Sequence, residues 1–149
     1  MNLKLKLLAL VVWGLLGSGM QPVGPPPQLI VEVHSIRTNA GTVRAFVFQS
    51  AEGFPSEGRR AVDHSTAPVH QGTALLRFTG LKPGQAYAIS LFHDENDDRR
   101  MNKSWIGIPQ EGYGASNDAR VSMGPPRFED ARFVFRENGQ KMRIQMRYF

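Results

Sequence analysis

An all-β fold, an antiparallel β-sandwich of roughly seven strands with one long ordered loop, is what this sequence predicts, on three observations. Short runs rich in β-branched and aromatic residues alternate apolar and polar positions with a period of two. Pro, Gly and Asn turn signals separate these runs. No stretch competes with the 3.6-residue period of an amphipathic helix, and no internal repeat is visible.

The chain opens on Met1-Asn2-Leu3-Lys4-Leu5-Lys6, followed by an apolar run over residues 7–16 and by Gly17-Ser18-Gly19. A basic start, a short apolar stretch and small residues are the three parts of a secretory signal peptide, so residues 1–19 are expected to be cleaved after Gly19. The run falls short of the roughly 20 apolar residues that cross a bilayer, so no stable span is expected after cleavage. No Cys follows it, which excludes a lipid-anchored lipoprotein. A periplasmic or secreted location is the expectation.

Residues 20–27 are rich in Pro and Gly and read as an extended linker, leaving a single domain over 28–149. Without Lys4 and Lys6, sixteen basic residues face thirteen acidic ones, a net charge of about +3. That is too mild to argue for nucleic acid, though it suits weak attraction to an anionic envelope surface. The chain has no cysteine, which removes disulfides and thiol chemistry together.

Leu29, Ile30, Val31 and Val33, with Glu32 and His34 alternating, predict the first strand. After an Asn39-Ala40-Gly41 turn, Val43, Ala45 and Val47 alternate with Arg44, Phe46 and Phe48, apolar on nearly both sides and therefore central. Residues 51–68 form a polar connection in which periodicity does not separate a short helix from an edge strand. Residues 73–78 and 85–92 are strands flanking a Pro-Gly turn; the second sets Tyr87, Ile89 and Leu91 on one face and small Ala86, Ala88 and Ser90 on the other. Asn138-Gly139 predicts a type I′ hairpin between residues 128–136 and 141–149. Its register sets Phe135 opposite Met142, Phe133 opposite Ile144 and Ala131 opposite Met146, with Arg132, Val134, Arg136, Lys141, Arg143 and Gln145 outside. Glu129 and Asp130 are expected to cap this hairpin.

Between these strands lies the most informative stretch, residues 93–117, reading HDENDDRRMNKSWIGIPQEGYGASN. A compact domain seldom keeps so long an irregular connection unless it is functional or disordered, and its Trp, Ile, Tyr and Pro argue against disorder. Several motifs in order carry a family likeness: Gly-Phe-Pro at 53–55, Phe-His-Asp-Glu-Asn at 92–96, Gly-Ile-Pro-Gln-Glu-Gly-Tyr-Gly at 107–114 and Gly-Pro-Pro-Arg-Phe-Glu-Asp-Ala at 124–131. With Leu81-Lys82-Pro83-Gly84 they resemble the small exported bacterial proteins of domain of unknown function 2141. The resemblance implies an exported β-sandwich, immunoglobulin-like or transthyretin (prealbumin)-like, without assigned catalytic residues. Where members of that group read Gly-Asn-Gly-Lys-Leu-Asp after Phe-His-Asp-Glu-Asn, this chain has Arg99 for the second Gly and Asn102 for the final Asp.

Asp94, Asn96, Asp98 and Asn102 fall at positions 1, 3, 5 and 9 of a calcium-loop pattern. Trp105 stands where the bidentate Glu of an EF-hand belongs, so an EF-hand is excluded, and Arg99 and Arg100 can neutralise the acids themselves. The alternatives are a Ca²⁺ site and an Asx-type turn closed on its own backbone. His93 and Glu111 invite a hydrolase-like reading, but His93 at a strand end is better expected as a hydrogen-bonded anchor, and the four histidines lack metal-ligand spacing. Trp105, Ile106, Ile108 and Tyr113 are expected to plug the loop onto the sandwich end, with Gly107, Gly112 and Gly114 giving positive φ or close approach. The competing reading is an aromatic platform for a ligand such as glycan. The expected function is a non-enzymatic binding or envelope-associated module with no cofactor beyond that Ca²⁺. Its working surface is His93, Trp105, Glu111, Tyr113 and Asn117.

Overall fold

The first β-branched run forms β1 (Leu29–His34), with Leu29, Val31 and Val33 fully buried and the alternate residues half-exposed. The protein is described here by a computed structural model covering residues 24–120 and 124–149. The expected signal peptide, residues 1–19, and residues 20–23 of the expected linker lie outside the described residues, and residues 24–28 have no regular structure.

β2 (Thr42–Phe48) lies between β3 (Asp63–Pro68) and β5 (Ala86–Asp94), the central place its two-sided apolar pattern requires. The polar connection before β3 holds one 3₁₀ turn (Gly58–Arg60), and β3 is an edge strand. β4 (Ala74–Phe78) follows, and after the long loop come β6 (Gly112–Ala115), helix α1 (Phe128–Ala131), β7 (Phe133–Val134) and β8 (Gln140–Gln145). The eight strands among the described residues form two sheets, β4-β1-β8 and β3-β2-β5-β6. β7 takes the half of β5 that β6 leaves open, pairing with Ala86 and Tyr87 where β6 pairs with residues from Ser90 to His93.

Between the sheets, Val31, Val33, Val43, Val47, Leu76, Phe78, Ile89 and Ile144 form one apolar core. The small face of β5 admits a second cluster: Phe54 sets its ring edge-on to Phe48 at 5.4 Å and to Phe128 at 5.9 Å, above Ala88 and Ala115. The tight turn at His70 and Thr73 carries the chain from β3 in one sheet to β4 in the other. On the opposite side Tyr113 and Arg147 exchange two backbone hydrogen bonds of 2.9 Å, tying β6 to the chain just beyond β8. These links cover strand edges that would otherwise expose unpaired peptide groups.

The expected hairpin is corrected. β8 pairs with β1 in parallel, Val31 opposite Met142 and Val33 opposite Ile144, while β7 joins β5 and residues 128–131 are helical. Asp130, in that helix, accepts two hydrogen bonds from Arg127 just before it and caps no hairpin. The Asn138 side chain accepts the Gln28 N–H at 2.8 Å and the Gly139 N–H reaches the Gln28 carbonyl, so the Asn-Gly pair seats the entry to β1. The facing pattern survives all the same: Ala131, Phe135, Ile144 and Met146 are buried, and Arg132, Val134, Arg136, Lys141, Arg143 and Gln145 are exposed. Period two fixes which face a side chain takes and leaves the partner strand open. Ile144→Ala should therefore cost about 2–5 kcal/mol in urea unfolding, and Val134→Ala, on the wet face, within about 0.5 kcal/mol.

Candidate functional site

β5 carries the chain directly into the loop, and its last two residues, His93 and Asp94, are completely buried. His93 Nε2 lies 2.7 Å from the Ala40 carbonyl, which can only accept, so this nitrogen carries the proton. Nδ1 lies 3.0 Å from the Tyr148 hydroxyl, whose oxygen accepts the Arg37 N–H at 3.2 Å. Burial pushes the Tyr148 phenol above its usual range. The Arg37 guanidinium lies 4.4 Å above the Tyr148 ring, 2.6 Å from Glu95, and donates to the Gln110 carbonyl. One arginine thus ties the outgoing limb of the loop, its returning limb and the chain terminus together.

Asp94 turns one carboxylate oxygen to the Arg44 guanidinium at 2.5 Å and to the Arg99 N–H at 2.9 Å. Arg44 is the one charged residue of β2, and a buried acid is the partner that such a residue demands. Asp97 accepts from the Thr42 hydroxyl at 3.0 Å. Asp98 accepts from the Arg100 N–H and from the side-chain amides of Asn96 and Asn102, and its own N–H returns to Asn96 Oδ1. The bond from Asn102, then that from Arg100, holds the Asp98 carboxyl below its usual value. Asp97 and Arg99 have φ of 56° and 66°, so Arg99 adopts left-handed backbone where the family resemblance places a glycine. Of the four residues of the calcium-loop pattern, Asp94, Asn96 and Asp98 thus accept from protein donors and Asn102 donates to Asp98, in an Asx-rich turn. Among the described residues, no three His, Asp or Glu side chains converge as a metal site.

Glu111 closes the loop. Its carboxylate, 5% exposed, accepts the Glu95 N–H at 3.0 Å through one oxygen and the Asn102 N–H at 2.9 Å through the other. A single side chain on the returning limb therefore fixes both ends of the acidic run. Directly after it, a Cβ on Gly112 would stand 2.6 Å from the Tyr148 ring, so only glycine lets the terminal segment lie this close.

Residues 102–110 form a small hairpin of their own. Gln110 N–H donates to Asn102 O, Ser104 N–H to Ile108 O and Gly107 N–H to Ser104 O, the last with Gly107 at φ 83°. A turn closed by a left-handed glycine is a common three-residue hairpin loop, and it puts Trp105 and Ile106 at the tip. Here the expected plug is corrected: Trp105 is 97% exposed, Ile106 58% and Ile108 43%. Only Tyr113 packs down, half-buried and stacked on Phe149 at 5.2 Å. Ser104 is the physical reason, because its hydroxyl accepts the Ile108 N–H and closes the hairpin locally instead of against the sandwich.

His93, Asp94 and Glu111 are thus gathered at the base of the loop, with Trp105 at its tip. Asn117 lies elsewhere. β6 descends from Gly112 opposite His93 to Ala115 opposite Ser90, and beyond it the Asn117 amide donates to the Arg132 carbonyl at 2.8 Å. Arg37, Ala40 and Tyr148 complete the base and had no sequence signal, lying outside the loop and far apart in the chain; Arg44, a lone charge in an apolar strand, had one. Residues 31–143 match the model of DUF2141, described as an uncharacterized protein conserved in bacteria, and the chain belongs to this family. Comparison with curated proteins and with solved structures finds no match.

Glu111→Ala should destabilise the protein by roughly 2–3 kcal/mol, since two N–H groups lose a charged acceptor. In the same melting experiment the wild-type midpoint should stay put on adding Ca²⁺ or chelator. A calcium-dependent midpoint would instead place an ion in the acidic run, because a ligand of the native state stabilises by mass action.

Proposed function

We propose that this is an exported, non-enzymatic binding module whose working surface is the loop over residues 93–117, and within it the hairpin tip. One observation carries the reading: a rigid, buried base of hydrogen-bonded charges holds three apolar side chains out in solvent. Of the seven large exposed apolar side chains among the described residues, Trp105, Ile106 and Ile108 fall within four consecutive positions. Scattered single apolar residues on a surface are ordinary, whereas such a cluster on an ordered projection marks a contact site. A non-enzymatic role is supported by His93, whose two ring nitrogens are both engaged and whose ring has no solvent-facing edge. The apolar start of the chain supports export.

Because the chain has no cysteine, Ile106→Cys gives a single attachment point for a solvatochromic dye at the tip. Ser50→Cys, just beyond the end of β2 remote from the loop, gives the control. Mixed with a bacterial envelope fraction, the tip probe should shift to the blue and the control should not. A shift at both positions, or at neither, contradicts the reading.

A further inference from the structure

We propose that the tip docks on the surface of an anionic phospholipid bilayer, a partner that rests on the reading of this loop as the working surface. Three features point to lipid. The tip projects: Trp105 and Ile106 stand at the turn of a hairpin closed by its own backbone hydrogen bonds, and both side chains are exposed. A compact ligand is held by a concave site, while a projecting apolar tip is suited to entering a soft interface. The side chains are the right kind, an indole with two isoleucines, and Trp favours the level of the lipid headgroups.

Charge is the third feature. Two acids of the loop are paired with arginine, Asp94 with Arg44 and Glu95 with Arg37, while the exposed Asp97 and Asp98 accept from Thr42 and from the amides of Asn96 and Asn102 and are outnumbered by the cations beside them. Arg99, Arg100 and Lys103 are exposed, and none has a carboxylate within 4.0 Å among the described residues. Lys103 bridges Pro109 in the stem just beneath the tip, so a cation follows the apolar residues toward the headgroups. Apolar insertion backed by basic residues is how a small surface element holds an anionic leaflet without crossing it. Insertion stays at headgroup depth, because the tip amides of Trp105 and Ile106 have no acceptor among the described residues and need water or headgroup oxygens.

The test uses the full chain carrying Trp13→Phe, which leaves Trp105 as the only indole. On vesicles containing phosphatidylglycerol, Trp105 emission should move to the blue and be quenched by brominated acyl chains. Vesicles of phosphatidylcholine alone should give a weaker response, and so should high salt. Because the signal arises at residue 105 itself, attachment through the apolar start of the chain cannot imitate it. Replacing Arg99, Arg100 and Lys103 by Gln should weaken the anionic response about fivefold per residue. Equal responses on neutral and anionic vesicles would overturn the proposal. Silence on both, while the Ile106→Cys probe still answers to the envelope fraction, would leave the loop as the working surface and overturn lipid in favour of a protein or glycan partner. Silence in both experiments would remove the two readings together.

Discussion

The carboxylate of Glu111 sits under the sandwich end with the Glu95 N–H on one oxygen and the Asn102 N–H on the other. Seven residues of acidic, irregular chain leave and return between those two amides. An unpaired backbone donor in a nearly buried place costs as much as a lost hydrogen bond, and a carboxylate buried without donors costs more. Each group is therefore tolerable only because the others are there. The polar base of the loop works as one unit, and everything beyond it inherits its position.

The sandwich supplies what that unit needs. β5 is long enough to bury His93 and Asp94 at its end, and β2 beside it contributes Arg44 and Thr42 from the same register. The parallel β1·β8 pair brings the chain terminus up so that Tyr148 reaches His93, and glycine at 112 leaves room for its ring. Five elements thus converge on one end of the fold: the 35–41 turn, β2, β5, β6 and the terminal segment. A loop built from polar and strained backbone is held by contacts that span the whole sequence, so order at the loop is a property of the intact domain.

The sheet faces were legible in the sequence because a period of two depends only on the chain's own pleat. Val43 and Val47, Tyr87 and Ile89, and Phe135 and Ile144 all face the core as their spacing requires. Partners were harder to read. Asn138-Gly139 is a strong local hairpin signal, yet its side chain and amide serve Gln28 and let β8 lie along β1, a pairing that depends on residues more than a hundred positions away. The same limit applies to the site. The order of the loop follows from its composition, and the positive φ at Arg99 falls where the family resemblance places a glycine. The charged partners of its acids do not follow: Arg99 and Arg100, the local candidates, form no ion pair among the described residues, and Arg44 and Arg37 hold Asp94 and Glu95 instead. The exposure of Trp105 does not follow either, because burial of an aromatic residue is decided by whether the chain around it closes on itself, and Ser104 closes it.

A rigid polar pedestal beneath an exposed apolar tip is the central claim, and amide hydrogen exchange measures both halves in one experiment. The N–H groups of Glu95, Arg99 and Asn102, held by Glu111 and Asp94, should exchange slowly, close to the core strands. Those of Trp105 and Ile106 should exchange at nearly the rate of free peptide. If the amides of Glu95 and Asn102 exchange as fast as those of the tip, the loop has no pedestal, and its apolar residues are merely the end of a loose segment.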